Sequence, residues 1–350
     1  MKLLLTGNPG TEDVISAEAY EKLAAEPLEV RSMHGRVVVE ADTNDYELLG
    51  EKVLELRTIH YAGILLYWSE TVSPTLEWIE EAAKQALASD YIPLTASFAV
   101  KTVREGNHSF TSMDISRVIG GVIYEAVKQA SRQPIIRLNS PSILFRADLI
   151  ENQLYISLSL TGDYSRHIRM YRVYDHPAAL KPTLAAAMLR LAGARDGDAI
   201  LDPMCGSGTV AIEAAHIYET SRIICNDINP RHIRSAKANS LIARVGNRIT
   251  FYTRDATELP EVLEEPVDVI VSNPPYGIRM GSKSAVKKLY RRLAQTLPEL
   301  LNRGGRVSLI TPEGSYMKRL LTSNGIQVKD YRKVKHGDLW ASIITGVKPE

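Results

Sequence analysis

The chain has only two cysteines in 350 residues, Cys205 and Cys225, and no Cys or His pair at metal-ligand spacing. A disulfide framework and a zinc site are therefore not expected, and so thiol-poor a chain fits a reducing cytoplasm. Long apolar runs are missing too: the most apolar stretch, residues 61–68, is far too short to cross a bilayer. The opening MKLLLTGNPGTED turns polar and acidic before the apolar core of a signal peptide would be complete, so neither export nor a membrane anchor is expected. There is no low-complexity tract, and 45% apolar with 24% charged residues is an ordinary globular composition. At this length a single small core does not suffice, and two or three domains are expected.

Net charge is nearly absent as well, at +1, but its distribution is lopsided. Residues 1–96 carry −10, residues 97–175 carry +3 and residues 176–350 carry +8. An acidic head before a basic middle and tail points to a polyanionic partner.

Hydrophobic periodicity organises what is present. KLLLTG reads as a strand, DVISAEAYEKLAAE as an amphipathic helix, GRVVVEAD as a strand and NDYELLGEKVLELRT as a helix begun by an asparagine. The cycle continues with the strand AGILLYWSE and the helix SPTLEWIEEAAKQALASD, in which Ser73 is the cap and Pro74 lies in the first turn. After the strand TASFAVKTV and the helix SMDISRVIGGVIYEAVKQASRQ come two strands, SILFRADLI and QLYISLSL, turning at Glu151 and Asn152. Residues 1–162 are thus expected to be α+β, as modules 1–60 and 61–162. Residues 163–176 are polar, aromatic and basic with no period, and read as a linker. From 177 to 350 strands alternate with helices, which implies a mostly parallel, doubly wound sheet, and two final strands imply an antiparallel edge.

The chemistry-bearing residues of the second half fall at strand ends. AILDPMCGSGT joins a strand to a helix through Gly206 and Gly208, which permit a tight turn and close approach of a ligand, and Thr209 opens a helix with free N–H groups. The spacing is neither GxGxxG nor that of a phosphate-binding loop, which disfavours dinucleotide and ATP readings. About 20 residues on, Asp227 ends the next strand, where a carboxylate can accept ribose hydroxyls. A third strand ends at Asp255 and Ala256, offering an acceptor for an exocyclic amine. The fourth ends at Asn273, followed by two prolines that cannot extend a ladder and by Tyr276. That turn reads either as a stiff corner or as a clamp for a planar, nitrogen-bearing substrate.

In this order, DPMCGSGT, NDINP, RDAT and NPPYG resemble the class I S-adenosylmethionine-dependent methyltransferases of the amino-methylating branch. The resemblance implies a Rossmann-like domain over 177–350 with S-adenosylmethionine as cofactor and no metal. Asp202, Pro203, Gly206, Gly208 and Thr209 would surround its methionine moiety, Asp227 and Ile228 its ribose side, and Asp255 and Ala256 its adenine. Pro182 and Thr183, in a segment similar to the helix before the first strand, would lie near its carboxylate, with Asn273 completing the site. The catalytic groups implied are the Asn273 side-chain oxygen and the Pro274 carbonyl as acceptors for the amine hydrogens, with Tyr276 stacking on the base.

Residues 98–120, FAVKTVREGNHSFTSMDISRVIG, resemble the THUMP domain, an RNA-binding module of tRNA-modifying enzymes, and residues 8–21 the ferredoxin-like domain that accompanies it. Arg104, Asn107, His108 and Arg117 are the RNA-binding residues this implies. Arg279, Lys283 and Lys287 after the clamp, with Arg166 and Arg169 in the linker, suit a rail for phosphates. THUMP together with NPPYG resembles the tRNA guanine-N2-methyltransferases acting at guanosine 6 of the acceptor stem, implying a monomeric, cytoplasmic enzyme with tRNA as its partner. Relatives acting at guanosine 10 usually have Asp where Asn273 stands, and ribosomal RNA enzymes usually have Phe where Tyr276 stands. Adenine-N6 or protein-glutamine methylation is the enzymatic alternative, and an RNA-binding chaperone with a vestigial cofactor site the non-enzymatic one.

Overall fold

The computed structural model describes residues 1–87, 97–130, 133, 135–173, 179–277 and 283–350. The chain forms two compact units, Met1–Gly7 with Ile15–Arg166, and Asn8–Val14 with His167–Glu350. Among the described residues no helix is long and apolar enough to cross a membrane.

In the first unit, strands β1 (Lys2–Gly7), β2 (Ala25–Val30), β3 (Arg36–Ala41), β4 (Ile59–Glu70), β5 (Phe98–Glu105), β6 (Ile143–Ile150) and β7 (Gln153–Ser159) form one sheet. Its order is β2-β3-β1-β4-β7-β6-β5, with β5 and β6 parallel and the other pairs antiparallel. Two apolar cores line this sheet. One joins β1, β3 and β4 to helices α1 (Glu12–Leu23) and α2 (Tyr46–Val53). The other joins β5, β6 and β7 to α3 (Leu76–Leu87) and α4 (Ser112–Gln129). α4 shows why these residues make a helix: Thr111 and Asp114 form a reciprocal capping box, and Ile115, Ile119, Ile123 and Val127 bury one stripe at four-residue spacing.

Periodicity missed β2. AEPLEV carries Pro27 and two glutamates, Glu26 and Glu29, with most side chains exposed, as suits an edge strand. The caps also shift. Asp45 rather than an asparagine caps α2, and Thr75 rather than Ser73 accepts a bond from the Trp78 backbone at the start of α3.

In the second unit, strands β8 (Ala199–Asp202), β9 (Arg222–Asn226), β10 (Ile249–Tyr252), β11 (Val267–Ser272), β12 (Leu301–Thr311), β13 (Gln327–His336) and β14 (Leu339–Val347) run in the order β10-β9-β8-β11-β12-β14-β13. The first five are parallel to one another, and β14 is antiparallel to both β12 and β13. The expected antiparallel edge is present, and the last strand is the inner one. Helices α5 (Pro182–Leu191), α6 (Thr209–Ile217) and α7 (Pro230–Ile242) share a core with Ile200, Ile223 and Val269. α8 (Lys283–Leu300) and α9 (Gly314–Ser323) share the other core with Leu201, Ile224 and Ile270. Adjacent strand residues thus enter opposite cores, as a sheet covered on both faces requires. The edge strand β13 is itself covered by residues 8–10: the Lys335 backbone donates to the Pro9 carbonyl at 3.0 Å, and a Cβ on Gly10 would lie 2.1 Å from the Lys333 oxygen. Only glycine fits there.

Candidate active site

The strand order reverses at β8, which has β9 on one side and β11 on the other, and open α/β sheets bind ligands outside the carboxyl ends at such a point. Four strand ends meet there and are laced by hydrogen bonds. At the tip of β8, Asp202 accepts from Ser272 Oγ at 2.7 Å and from the Met204 backbone at 3.1 Å. Ser272 ends β11, immediately before Asn273, so these bonds join the Asn273 turn to the glycine loop. Asp202 is 3% exposed. Burial, with a smaller push from Asp227, raises its carboxyl to about 7 despite the bonds from Ser272 and Met204.

Gly206 and Gly208 both have positive φ, 53° and 82°, and Gly208 begins α6 against Ala236, whose Cβ would lie 2.9 Å from an added Cβ. Asp227 accepts from the Gly206 backbone at 2.9 Å and the Asn229 backbone at 2.8 Å, while His232 Nδ1 lies 3.2 Å from its Oδ1. Asn226, missed as a site residue although it adjoins Asp227, is the central tie: its amide donates to the Pro203 and Arg254 carbonyls at 2.9 and 3.0 Å and accepts from the Arg254 backbone at 3.1 Å. Asp255 follows, accepting from the Thr257 backbone and hydroxyl and from Arg292 Nη2. Burial raises its carboxyl, and these donors together outweigh that and hold it below the ordinary range. Ala256 is buried, whereas Ile228 is 67% exposed beside Asp227.

The cysteines overturn one expectation. Cys205 in the glycine loop and Cys225 in β9 are joined by a disulfide, which ties the loop to the strand carrying Asp227. Twenty residues apart in sequence, they come within 5.6 Å at Cα only because β8 and β9 are neighbours.

Asn273 is half-buried, Pro274 is buried and Pro275 is exposed. The turn is held by Tyr290 of α8, whose hydroxyl donates to the Pro275 carbonyl at 3.1 Å and lies 2.9 Å from Thr311 Oγ1. Burial pushes the Tyr276 phenol far up, so it stays protonated and donates. Its partner, His336 Nδ1 at 3.5 Å, stands edge-on to the Tyr276 ring. Burial and the nearby charges of Lys181 and Arg172 lower the His336 imidazole, opposed by its bond to the Ala179 backbone, so the ring is neutral and able to accept. At the first turn of α5, which opens with Pro182, buried Thr183 accepts from the Asn8 side chain at 3.0 Å. Ser272, Tyr290, His336 and Asn8 were not picked out from the sequence; Ser272 alone had a signal, its place directly before Asn273.

The residues assigned to RNA fare differently. Arg104 Nη1 lies 3.2 Å from His108 Nδ1, and His108 Nε2 donates to the Glu151 carbonyl at 2.7 Å, with the ring stacked on Phe110. Asn107 is exposed between them. Arg117 stands apart, 74% exposed and paired with Asp114. Two linker arginines are not presented as a rail. Arg166 donates to the Leu54 and Leu56 carbonyls, and Arg169 is nearly buried against Glu213, which also accepts from Tyr171. Arg169 is thus paired with a carboxylate, and Arg166 uses two of its N–H groups on backbone carbonyls. Lys287 is exposed on α8, 5.6 Å above the Tyr316 ring. Arg279 and the Lys283 side chain lie outside the described residues.

A THUMP domain family model matches residues 74–159, and an RMKL-like methyltransferase domain model matches residues 169–342. The tRNA (guanine(6)-N2)-methyltransferase of Methanocaldococcus jannaschii is 31% identical over 98% of this chain and 99% of its own. The chain belongs to the family of tRNA guanine-N2-methyltransferases. The solved structure of TrmN from Thermus thermophilus superposes with a TM-score of 0.82 at 30% identity, covering 99% of each chain. A tRNA (guanine(10)-N2)-dimethyltransferase of M. jannaschii is 33% identical, over only 60% of either chain. The Rossmann-like methyltransferase half and the THUMP half expected from the motifs are both borne out.

Proposed function

We propose that this enzyme methylates the exocyclic N2 of guanosine 6 in the acceptor stem of tRNA, acting in the cytoplasm as a monomer with S-adenosylmethionine as donor. The observation that carries the reading is the amide-tipped turn at Asn273 and Pro274, bonded through Ser272 to the strand end that bears Asp202. The cofactor reading rests on the chemistry of the pocket. Acids stand at three strand ends, a Cβ on Gly206 would meet nothing within 4 Å, and Ile228 leaves an apolar side chain bare where an adenine face would cover it. Asp202, Pro203, Gly206, Gly208 and Thr209 would hold the methionine moiety, with Pro182 and Thr183 at its carboxylate. Asp227 would take the ribose hydroxyls, and Ile228, Asp255 and Ala256 the adenine. Bound there, S-adenosylmethionine supplies an electrophilic sulfonium methyl.

The lone pair of the guanine amine is delocalised into its ring. Two acceptors, the Asn273 oxygen and the Pro274 carbonyl, bind its hydrogens and favour a pyramidal nitrogen whose lone pair is available for attack. Tyr290 fixes the turn through Pro275, and His336 fixes Tyr276, so the acceptors and the ring that stacks on the base keep their geometry. Such positioning is itself a large contribution to rate. Modules 1–60 and 61–162 would bind tRNA through Arg104, Asn107, His108 and Arg117, and supply the contacts that offset unstacking of the target base.

The test is to incubate the protein with unmodified tRNA and labelled donor and to map the product by nuclease digestion and mass spectrometry. N2-methylguanosine at position 6 is expected. Label at guanosine 10, in ribosomal RNA, in DNA or in protein overturns the assignment.

A further inference from the structure

An open cavity of about 380 Å³ lies in the second unit, where Tyr316 and Arg319 of α9, Tyr331 and Lys333 of β13, and Trp340 of β14 converge. Its aromatic content stands out on a chain with 7% aromatic residues. Cations crowd its rings. Lys287 and Arg319 lie 5.6 and 5.9 Å from the centre of Tyr316, and Lys318 lies 5.3 Å from that of Tyr331. Against these and Lys333, the lining has one acid, Glu313. Trp340, a residue that normally hides most of its surface, is 51% exposed.

The cavity is built rather than incidental. The Tyr331 hydroxyl is held between Ser315 Oγ at 3.1 Å and Ser342 Oγ at 3.3 Å, which fixes its ring. Gly314 permits that packing: a Cβ there would lie 2.4 Å from the Ser342 Cβ and 3.1 Å from Tyr331. A hydrogen-bond relay also connects the rim to the methylation turn. The Glu313 backbone donates to Thr311 Oγ1 at 3.1 Å, the Thr311 hydroxyl donates to Tyr290, and Tyr290 donates to the Pro275 carbonyl.

We propose that this cavity is a nucleotide subsite, in which a base of the RNA strand flanking the target guanosine stacks on Trp340 while Arg319 and Lys333 take its phosphate. The chemistry selects RNA: base–aromatic stacking tolerates any base, cations neutralise the backbone, and the volume is that of a small-ligand pocket. An acidic peptide satisfies the cations but leaves the exposed Trp340 ring without a stacking partner. The inference rests on the RNA-methylating reading above and adds to it a second anchor on the methyltransferase half. With a base beside the target held, the turn at Asn273 receives an extruded nucleotide already in register.

The test uses the full chain and unmodified tRNA, with S-adenosylmethionine for turnover and S-adenosylhomocysteine for the ligand-binding control. Trp340→Ala is expected to raise the KM for tRNA about tenfold, the size of one lost stack. Trp340→Phe should restore most of the affinity, and S-adenosylhomocysteine binding should be unchanged in both. Arg319→Ala and Lys333→Ala are each expected to lower the slope of log affinity against log salt by about one. An active wild-type enzyme whose Trp340→Ala variant keeps its KM, and whose Arg319→Ala variant keeps its salt slope, overturns the subsite while leaving the methylation reading intact. A wild-type protein that methylates no tRNA overturns both. Retained tRNA affinity with lost binding of a polyglutamate peptide would assign the cavity to a protein partner and likewise overturn the proposal.

Discussion

Replacing Asp202 by asparagine isolates the electrostatic cost of the site. The carboxyl is buried, and its pKa is raised from 3.8 to about 7 in the folded chain. Because the folded value lies above the unfolded one, stability is fully present below pH 4 and is lost as pH rises to about 7. The total loss is about 4 kcal/mol, at ~1.4 kcal/mol per tenfold change in proton affinity. Asparagine keeps an oxygen to accept from Ser272 and Met204 but has nothing to ionise. The ligand-free variant should therefore match wild type at pH 4 and exceed it at pH 8 by up to about 4 kcal/mol, a rise of several degrees in melting temperature. Denaturant unfolding of both proteins from pH 4 to pH 9 reads the difference, and groups common to both cancel. The same logic reaches function, since the cationic donor proposed to bind beside Asp202 would favour its ionised form. Wild type should release up to one proton on binding near pH 6.5, seen by calorimetry in buffers of different ionisation heat, and the variant should release fewer. Parallel stability curves for the two proteins, or a wild type that gains stability relative to the variant between pH 4 and 7, would refute the reasoning.

Asn273→Ala should lower kcat for tRNA at least a hundredfold with little change in donor affinity, measured under saturating donor; unchanged kcat removes the clamp from the mechanism. Reducing the bond between Cys205 and Cys225 should cost about 3 kcal/mol, the chain-entropy value for a loop of that length, so melting with and without reductant should differ in wild type and coincide in Cys205→Ser. Asn8→Ala leaves buried Thr183 without its donor and should weaken donor binding severalfold by calorimetry, while Asn8→Asp, which cannot donate when ionised, should be at least as harmful. Arg104→Ala should weaken tRNA binding and flatten its salt dependence while leaving donor affinity intact.

Much of the candidate site could be read along the chain because its residues sit at strand ends, where turn chemistry leaves a local signature. Gly206 and Gly208 announce a tight turn, Asp227 and Asp255 follow apolar runs, and Pro274 with Pro275 ends a strand by removing its donors. What stayed illegible depends on neighbours distant in sequence. β2 has an edge strand's composition, which resembles a loop until β3 pairs with it. Arg166 and Arg169 look like free cations until Leu54, Leu56 and Glu213 are placed beside them.

By itself, then, the sequence determined two α/β halves, the order of the strand tips and the amide-bearing turn, since propensity and periodicity act over a few residues. Only the tertiary structure decided that Ser272 holds Asp202, that Asn226 ties three strand ends, that Cys205 meets Cys225 and that Asn8 reaches Thr183. Those contacts join residues 20 to 175 positions apart. All but the contact of Asn8 with Thr183 exist because a sheet strung in the order β10-β9-β8-β11 brings carboxyl ends together that the chain itself keeps apart.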